Sequence, residues 1–145
     1  MNNMNKFSVE ILEEKVKLYT CSREEYKNII LKYKLYNIDD ILCHTQLKDE
    51  VTIYYIVKNN EENKTNNYIL SKLCVSDQRL YNVINVYEDI PGIDHVGIIY
   101  NISKLFLEKN IPILYINTFG HNIILVSDEN MSNAVNTLEK IGNIS

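Results

Sequence analysis

At 145 residues the chain is long enough for one compact domain or two small fused ones, and 46% apolar residues suffice for a real core. Charged residues make up 23%, the net charge is −4, and 13 Lys and 2 Arg are scattered with no block along one face. That balance argues against sequence-independent binding of a phosphate backbone, which needs a clustered positive surface, and no apolar run approaches the roughly 20 residues that span a bilayer.

Asn, Ile, Lys and Tyr are abundant and Trp is absent. Codon usage in an AT-rich genome explains this more simply than function does. Residues 1–5 are polar and fit neither a secretory nor a transit sequence. Cys21, Cys43 and Cys74 are far apart, with no CxxC and no Cys/His pair at metal spacing. A reducing, cytoplasmic setting is expected, with Cys43 and Cys74, which lie in apolar strand-like runs, as small core residues.

Residues 15–21 (KVKLYTC) alternate like a half-buried strand. Ser22 opens a capping box with Glu25, and the helix behind it sets Tyr26, Ile29, Ile30 and Tyr33 on one face. Residues 41–47 and 51–57 read as a hairpin turning at Lys48-Asp49-Glu50. The run 58–67 (KNNEENKTNN) reads as a polar, mobile surface loop that buries nothing. Residues 66–75 should link two halves as a short helix or edge strand.

The second half repeats the order. Residues 81–87 form a strand. A loop with Pro91 and Gly92 leads to a helix over 97–109 with Ile98, Ile102, Leu105 and Phe106 inward. Residues 111–119 and 122–127 form a hairpin around Gly120-His121. Ser127 or Asp128 caps a last helix striped by Met131, Ala134, Val135, Leu138 and Ile141, with Gly142 as its stop. The hairpins 41–57 and 111–127 are equal in length and offset by 70 residues. The expected fold is therefore α+β: two βαββ-containing units in tandem, each an antiparallel sheet with helices on one face.

No constellation of catalytic residues stands out. His44 lies on a strand and His121 in a turn. His95 neighbours Asp94, but adjacent residues of an extended chain point apart. The carboxylate clusters at Glu10-Glu13-Glu14, Asp39-Asp40, Glu61-Glu62 and Glu88-Asp89 read mainly as solvated faces and turns, although Glu88 and Asp89 lead into the glycine loop. There is no GxGxxG, Walker loop or zinc spacing, so no metal or cofactor is expected. Gly97 at a helix start permits close approach, and the N–H groups of that first turn suit a carboxylate. Tight helix-on-sheet packing explains the same glycine.

On these residues the chain resembles the ACT domain of the aspartokinase type. The stretch IDHVGIIYNISKLFLEKNIPILYINTFGHNIILVSDENMSNAVNTLEKIG carries most of the likeness, and VEILEEKVKLYTC and TQLKDEVTIYYIV carry the rest. It is similar to small bacterial ACT proteins and to the N-terminal half of the CASTOR family of cytosolic arginine sensors. The resemblance implies two ferredoxin-like βαββαβ units, at 6–75 and 76–145, and a non-catalytic regulatory module. It implies a small amino-acid-like ligand at an interface between units or across a homodimer. The implied ligand-binding residues are Asp89, Ile90, Pro91, Gly92, Ile93, Asp94, His95, Val96 and Gly97, with Pro112, Ile113 and Asn122. Pro112 stands where the arginine sensors carry Ser, and His121-Asn122 where the family carries Thr-Asp. Two alternatives stay open: an ACT-type interaction module with no ligand, and an RNA-binding ferredoxin-like domain using Tyr54-Tyr55. A protein partner is compatible with the first two readings; nucleic acid and membrane are not expected partners.

Overall fold

The computed structural model describes residues 7–33, 37–88, 98–140 and 143–144. The elements run β1 (Phe7–Cys21), α1 (Arg23–Tyr33), β2 (Ile41–Gln46), β3 (Val51–Val57), α2 (Glu61–Leu73), β4 (Tyr81–Glu88), α3 (Ile98–Glu108), β5 (Leu114–Asn117), β6 (Asn122–Ser127), α4 (Met131–Glu139) and β7 (Asn143–Ile144). Short 3-10 turns, Ile38–Asp40 and Asp128–Asn130, lead into β2 and α4. The architecture is α+β, with antiparallel strand pairs and packed helices.

Two compact units divide the chain: Glu14–Leu80, and Met1–Glu13 together with Tyr81–Ser145. This differs from a simple split at 75/76, because the first half of β1 belongs with the second half of the chain. The cause is visible in the pairing. Ser8 and Val9 lie beside Asn143 and Ile144 of β7 in parallel register. Val9 is fully buried in a core with Ile84, Ile102, Phe106, Ile124 and Leu138.

In the inserted unit, β3 pairs antiparallel with β2 on one side and with the second half of β1 on the other. Residues of β3 alternate as a strand must: Val51, Ile53 and Tyr55 are buried, while Thr52, Tyr54 and Ile56 are half-buried. The buried set packs with Tyr19, Tyr26, Ile29 and Leu70, placing α1 and α2 on that face. Ser22 caps α1 as the sequence indicates, its Oγ accepting from the Glu25 amide at 3.0 Å. Residues 66–75, expected as a short helix or edge strand, are helical as far as Leu73, the end of α2, after which Val75 forms an isolated antiparallel bridge with Thr20.

The run 58–67 is not a loop that buries nothing. Asn60 caps α2 by accepting from the Asn63 amide at 2.7 Å. Asn63 is itself fully buried: it donates to the Ile56 carbonyl at 2.9 Å and accepts from the Lys58 amide at 2.7 Å. Nearby, Lys58 Nζ meets the buried Asp40 carboxylate at 2.8 Å, and the Tyr55 hydroxyl donates to the Asn63 carbonyl at 3.2 Å. The Asn63 amide satisfies the end of β3 while Asn60 caps α2, so a polar side chain becomes a core residue.

In the other unit, β4 pairs with β6 and β6 with β5, all antiparallel. Ile102 and Phe106 of α3 and Ala134 and Leu138 of α4 pack on Ile84, Val86, Ile124 and Val126. The predicted cap of the last helix does not form. Ser127 makes no side-chain cap bond, and Asp128 accepts from Asn82 Nδ2 at 2.7 Å instead, so a 3-10 turn intervenes before α4. Ile141 and Gly142 lie outside the described residues.

Burial gives the fold an alkaline weakness. Desolvation, with a smaller contribution from Cys74, pushes the Tyr19 hydroxyl from 10.0 up to about 12; desolvation and Cys21 push the Cys74 thiol from 9.0 to about 12. Between these values the unfolded chain releases protons that the folded chain keeps, so stability falls as pH rises from about 9 toward 12 and is unaffected below that window. Urea titrations should give a midpoint clearly lower at pH 11 than at pH 8. Equal midpoints would contradict the assigned burial.

Candidate functional site

Residues 111–122 are placed by the way α3 ends. Asn110 takes the left-handed conformation (φ 55°), its amide reaches the Leu107 carbonyl at 3.0 Å, and the Ile111 amide reaches Phe106 at 3.0 Å. This is a Schellman closure with asparagine at C′. The buried Ile111 then packs in the same core as Phe106. The chain enters β5 through an exposed Pro112 and a half-buried Ile113 that leans on that core.

β5 is shorter than the expected 111–119, because Pro112 has no amide to give a strand ladder. The β5–β6 turn closes with Thr118 N donating to the His121 carbonyl at 2.9 Å. Asn122 begins β6, opposite Asn117 and also beside Val86 of β4. Its Oδ1 accepts from the Tyr115 hydroxyl at 3.4 Å. Ile113 and Asn122 are thus tied to one sheet through β5 and Tyr115. The rest of the expected set, Asp89 to Gly97, lies outside the described residues.

The same unit holds a polar group that sequence reasoning passed over. Tyr87 donates to Glu10 Oε2 at 2.7 Å, and Asn85 Nδ2 reaches the Tyr87 hydroxyl at 3.4 Å. The Asn85 Oδ1 is buried without a partner among the described residues. Glu10, read as a solvated charge, joins this set because the start of β1 belongs to this unit. The glutamate is the chief cause of the raised Tyr87 hydroxyl.

Other residues singled out earlier fall into structural places. His44 is half-buried with its ring 5.6 Å from Tyr26, and His121 is exposed in its turn. Tyr55 is 1% exposed and offers no stacking face, which removes half of the aromatic pair an RNA-binding reading needs. Cys21, Cys43 and Cys74 are half-buried free thiols, all raised by burial first. Among the described residues no three His, Cys, Asp or Glu converge as a metal site, and no helix is long and apolar enough to cross a membrane.

The inserted unit carries a cavity of about 570 Å³ between the second half of β1, α2 and the segment 74–78. Lys17, Lys64 and Lys72 line it. The lysines are therefore less scattered than the sequence suggests: α2 brings two of them beside a third on β1.

Comparison with known proteins adds a domain match over part of the chain, and a fold. Residues 78–140 match the ACT domain model. No curated protein matches the chain. Among solved structures it is similar to a Vibrio cholerae protein of unknown function described as a possible transport protein: 14% identity, 95% of this chain and 91% of that one, TM-score 0.67. An Agrobacterium tumefaciens protein shares 15% identity over 97% and 92% of the two chains, at TM-score 0.63. The regulatory subunit of aspartate kinase from Thermus thermophilus, in ligand-free form, shares 5% identity over 92% and 95%, at TM-score 0.62.

Proposed function

We propose that the chain is a non-catalytic ACT-type regulatory module, built from two such units with one inserted in the other, that binds a small amino-acid-like ligand. The ACT match over residues 78–140 carries this reading. The matched segment supplies β4, α3, β5, β6 and α4 of one unit, and the aspartate kinase regulatory subunit supports the regulatory role by its fold. The ligand sits against the start of β5, at Pro112 and Ile113, and against Asp89 to Gly97, with Asn122 closing one side. Backbone groups hold its carboxylate and amine. A homodimer with strand edges paired completes the pocket, in a cytoplasmic setting; edge pairing also covers exposed strand edges.

Thermal-shift screening against the twenty amino acids tests the ligand. A binder at a hundred times its dissociation constant adds about 2.7 kcal/mol to stability, a shift of several degrees. No shift across the panel sinks the ligand reading. Light scattering that gives a monomer at micromolar concentration removes the dimer.

One observation favours a second reading, an interaction module with no ligand. Pro112 offers no N–H where an amino acid's carboxylate would need one, and the Asn122 amide oxygen is already engaged by Tyr115. A flat amino-acid panel from a folded dimer would select it.

A further inference from the structure

We infer that the groove in the inserted unit is a binding site for an elongated small molecule bearing at least two phosphate or carboxylate groups. The ligand is distinct from the amino acid proposed above, and nearly all the groove's residues precede the ACT-matched segment, so either proposal can fail alone.

The charge pattern carries the inference. The chain has a net charge of −4, yet the groove is lined by three ammonium groups and no carboxylate. Lys64 has a neighbouring carboxylate, Glu61, but at 4.0 Å on a largely exposed pair, where the attraction is worth little. Three like charges around one cavity repel each other, a cost that an anion relieves. The site is also part-built. Lys72 Nζ lies 5.2 Å from the centre of the Tyr68 ring, which restricts its wandering. Ser71 and Ser76 add hydroxyls to the lining. At the floor the Tyr19 hydroxyl donates to Asn67, locking α2 onto β1.

Spacing sets the ligand's shape. Lys64 and Lys72 are eight residues apart on α2, about 12 Å along the helix axis. Charges spread over that length are best met by two anionic groups at opposite ends of a small molecule, with Lys17 on β1 lining the same groove. The cavity volume lies within the usual range of roughly 300–1,000 Å³ for small-molecule sites.

Isothermal titration and amide chemical-shift mapping test this on the full chain, with three probes: fructose 1,6-bisphosphate, citrate and inorganic phosphate. The expected result is saturable binding of the bisphosphate or citrate, at least tenfold tighter than phosphate, with shifts at residues 17, 64, 68 and 72. Preference for the bisphosphate assigns phosphate groups; preference for citrate assigns carboxylates. Lys64→Gln and Lys72→Gln should each weaken binding about tenfold while lowering the thermal midpoint little or not at all, since both residues are exposed on α2 and each change also relieves repulsion. Raising salt should weaken it further. The proposal is overturned if neither multivalent probe saturates, if inorganic phosphate binds as well, or if the lysine variants bind like the parent.

Discussion

Phe106→Ala is expected to lower stability by about 3–5 kcal/mol, the usual cost of truncating a buried phenylalanine. The ring is 1% exposed and packs among Ile84, Ile102, Ile124 and Leu138. Its backbone carbonyl also anchors the Schellman closure through the Ile111 amide, so loosening the ring disturbs the turn that aims Pro112 and Ile113. Against a total stability of roughly 5–15 kcal/mol, the loss is a large share of the margin. The thermal midpoint should drop by roughly 10 °C. Leu107→Ala, one residue along and 73% exposed, should change stability by less than about 0.5 kcal/mol. Equal effects at the two positions would mean that α3 does not present Phe106 to the core.

The second large effect is polar. Asn63→Ala removes no apolar packing of consequence but orphans two part-buried backbone groups, the Lys58 amide and the Ile56 carbonyl. A fully buried group so orphaned costs about 1–3 kcal/mol, so the pair gives an expected loss of roughly 1–4 kcal/mol. The Tyr55 hydroxyl keeps its bond because it reaches the Asn63 carbonyl, which alanine retains. Asn63→Asp should not rescue: it keeps the acceptor for Lys58 but sets a carboxylate against the Ile56 carbonyl. Asn60→Ala, which removes only the cap, should cost about 1 kcal/mol. Chemical denaturation separates these outcomes. A loss below 1 kcal/mol at Asn63 would show that the bonds to Ile56 and Lys58 contribute little.

These two residues show what periodicity reveals and hides. Phe106 announces itself, because Ile102 and Phe106 recur at helical spacing and both are buried in the core. The hairpins at β2–β3 and β5–β6 were likewise legible, since apolar alternation bracketed by polar turns has one good solution. Asn63 was hidden. A run of Asn, Glu and Lys has the composition of a solvated loop, and only the tertiary position of one amide turns it into a buried junction. The early start of β1 was hidden for a related reason: Ser8 and Val9 pair with Asn143 and Ile144 at the far end of the chain, which no local window sees. Of the expected site, the entry to β5 was legible through Pro112 and the hairpin. The lysine groove was not, because Lys17 and Lys64 meet only after α2 folds over β1.

The shared strand β1 has a consequence for synthesis. Residues Glu14–Leu80 leave the ribosome as a continuous stretch holding all the strands and helices of their own unit. The residues before them wait for β4, and Ser8 and Val9 wait for Asn143 and Ile144 at the far end of the chain. At roughly 5–20 residues per second that wait lasts several seconds. During it the first half of a fifteen-residue strand is a tether on a finished neighbour. A nascent chain stalled near residue 120, with residues up to Leu80 clear of the ribosome, should therefore resist protease across 14–80 while still being cut around Val9.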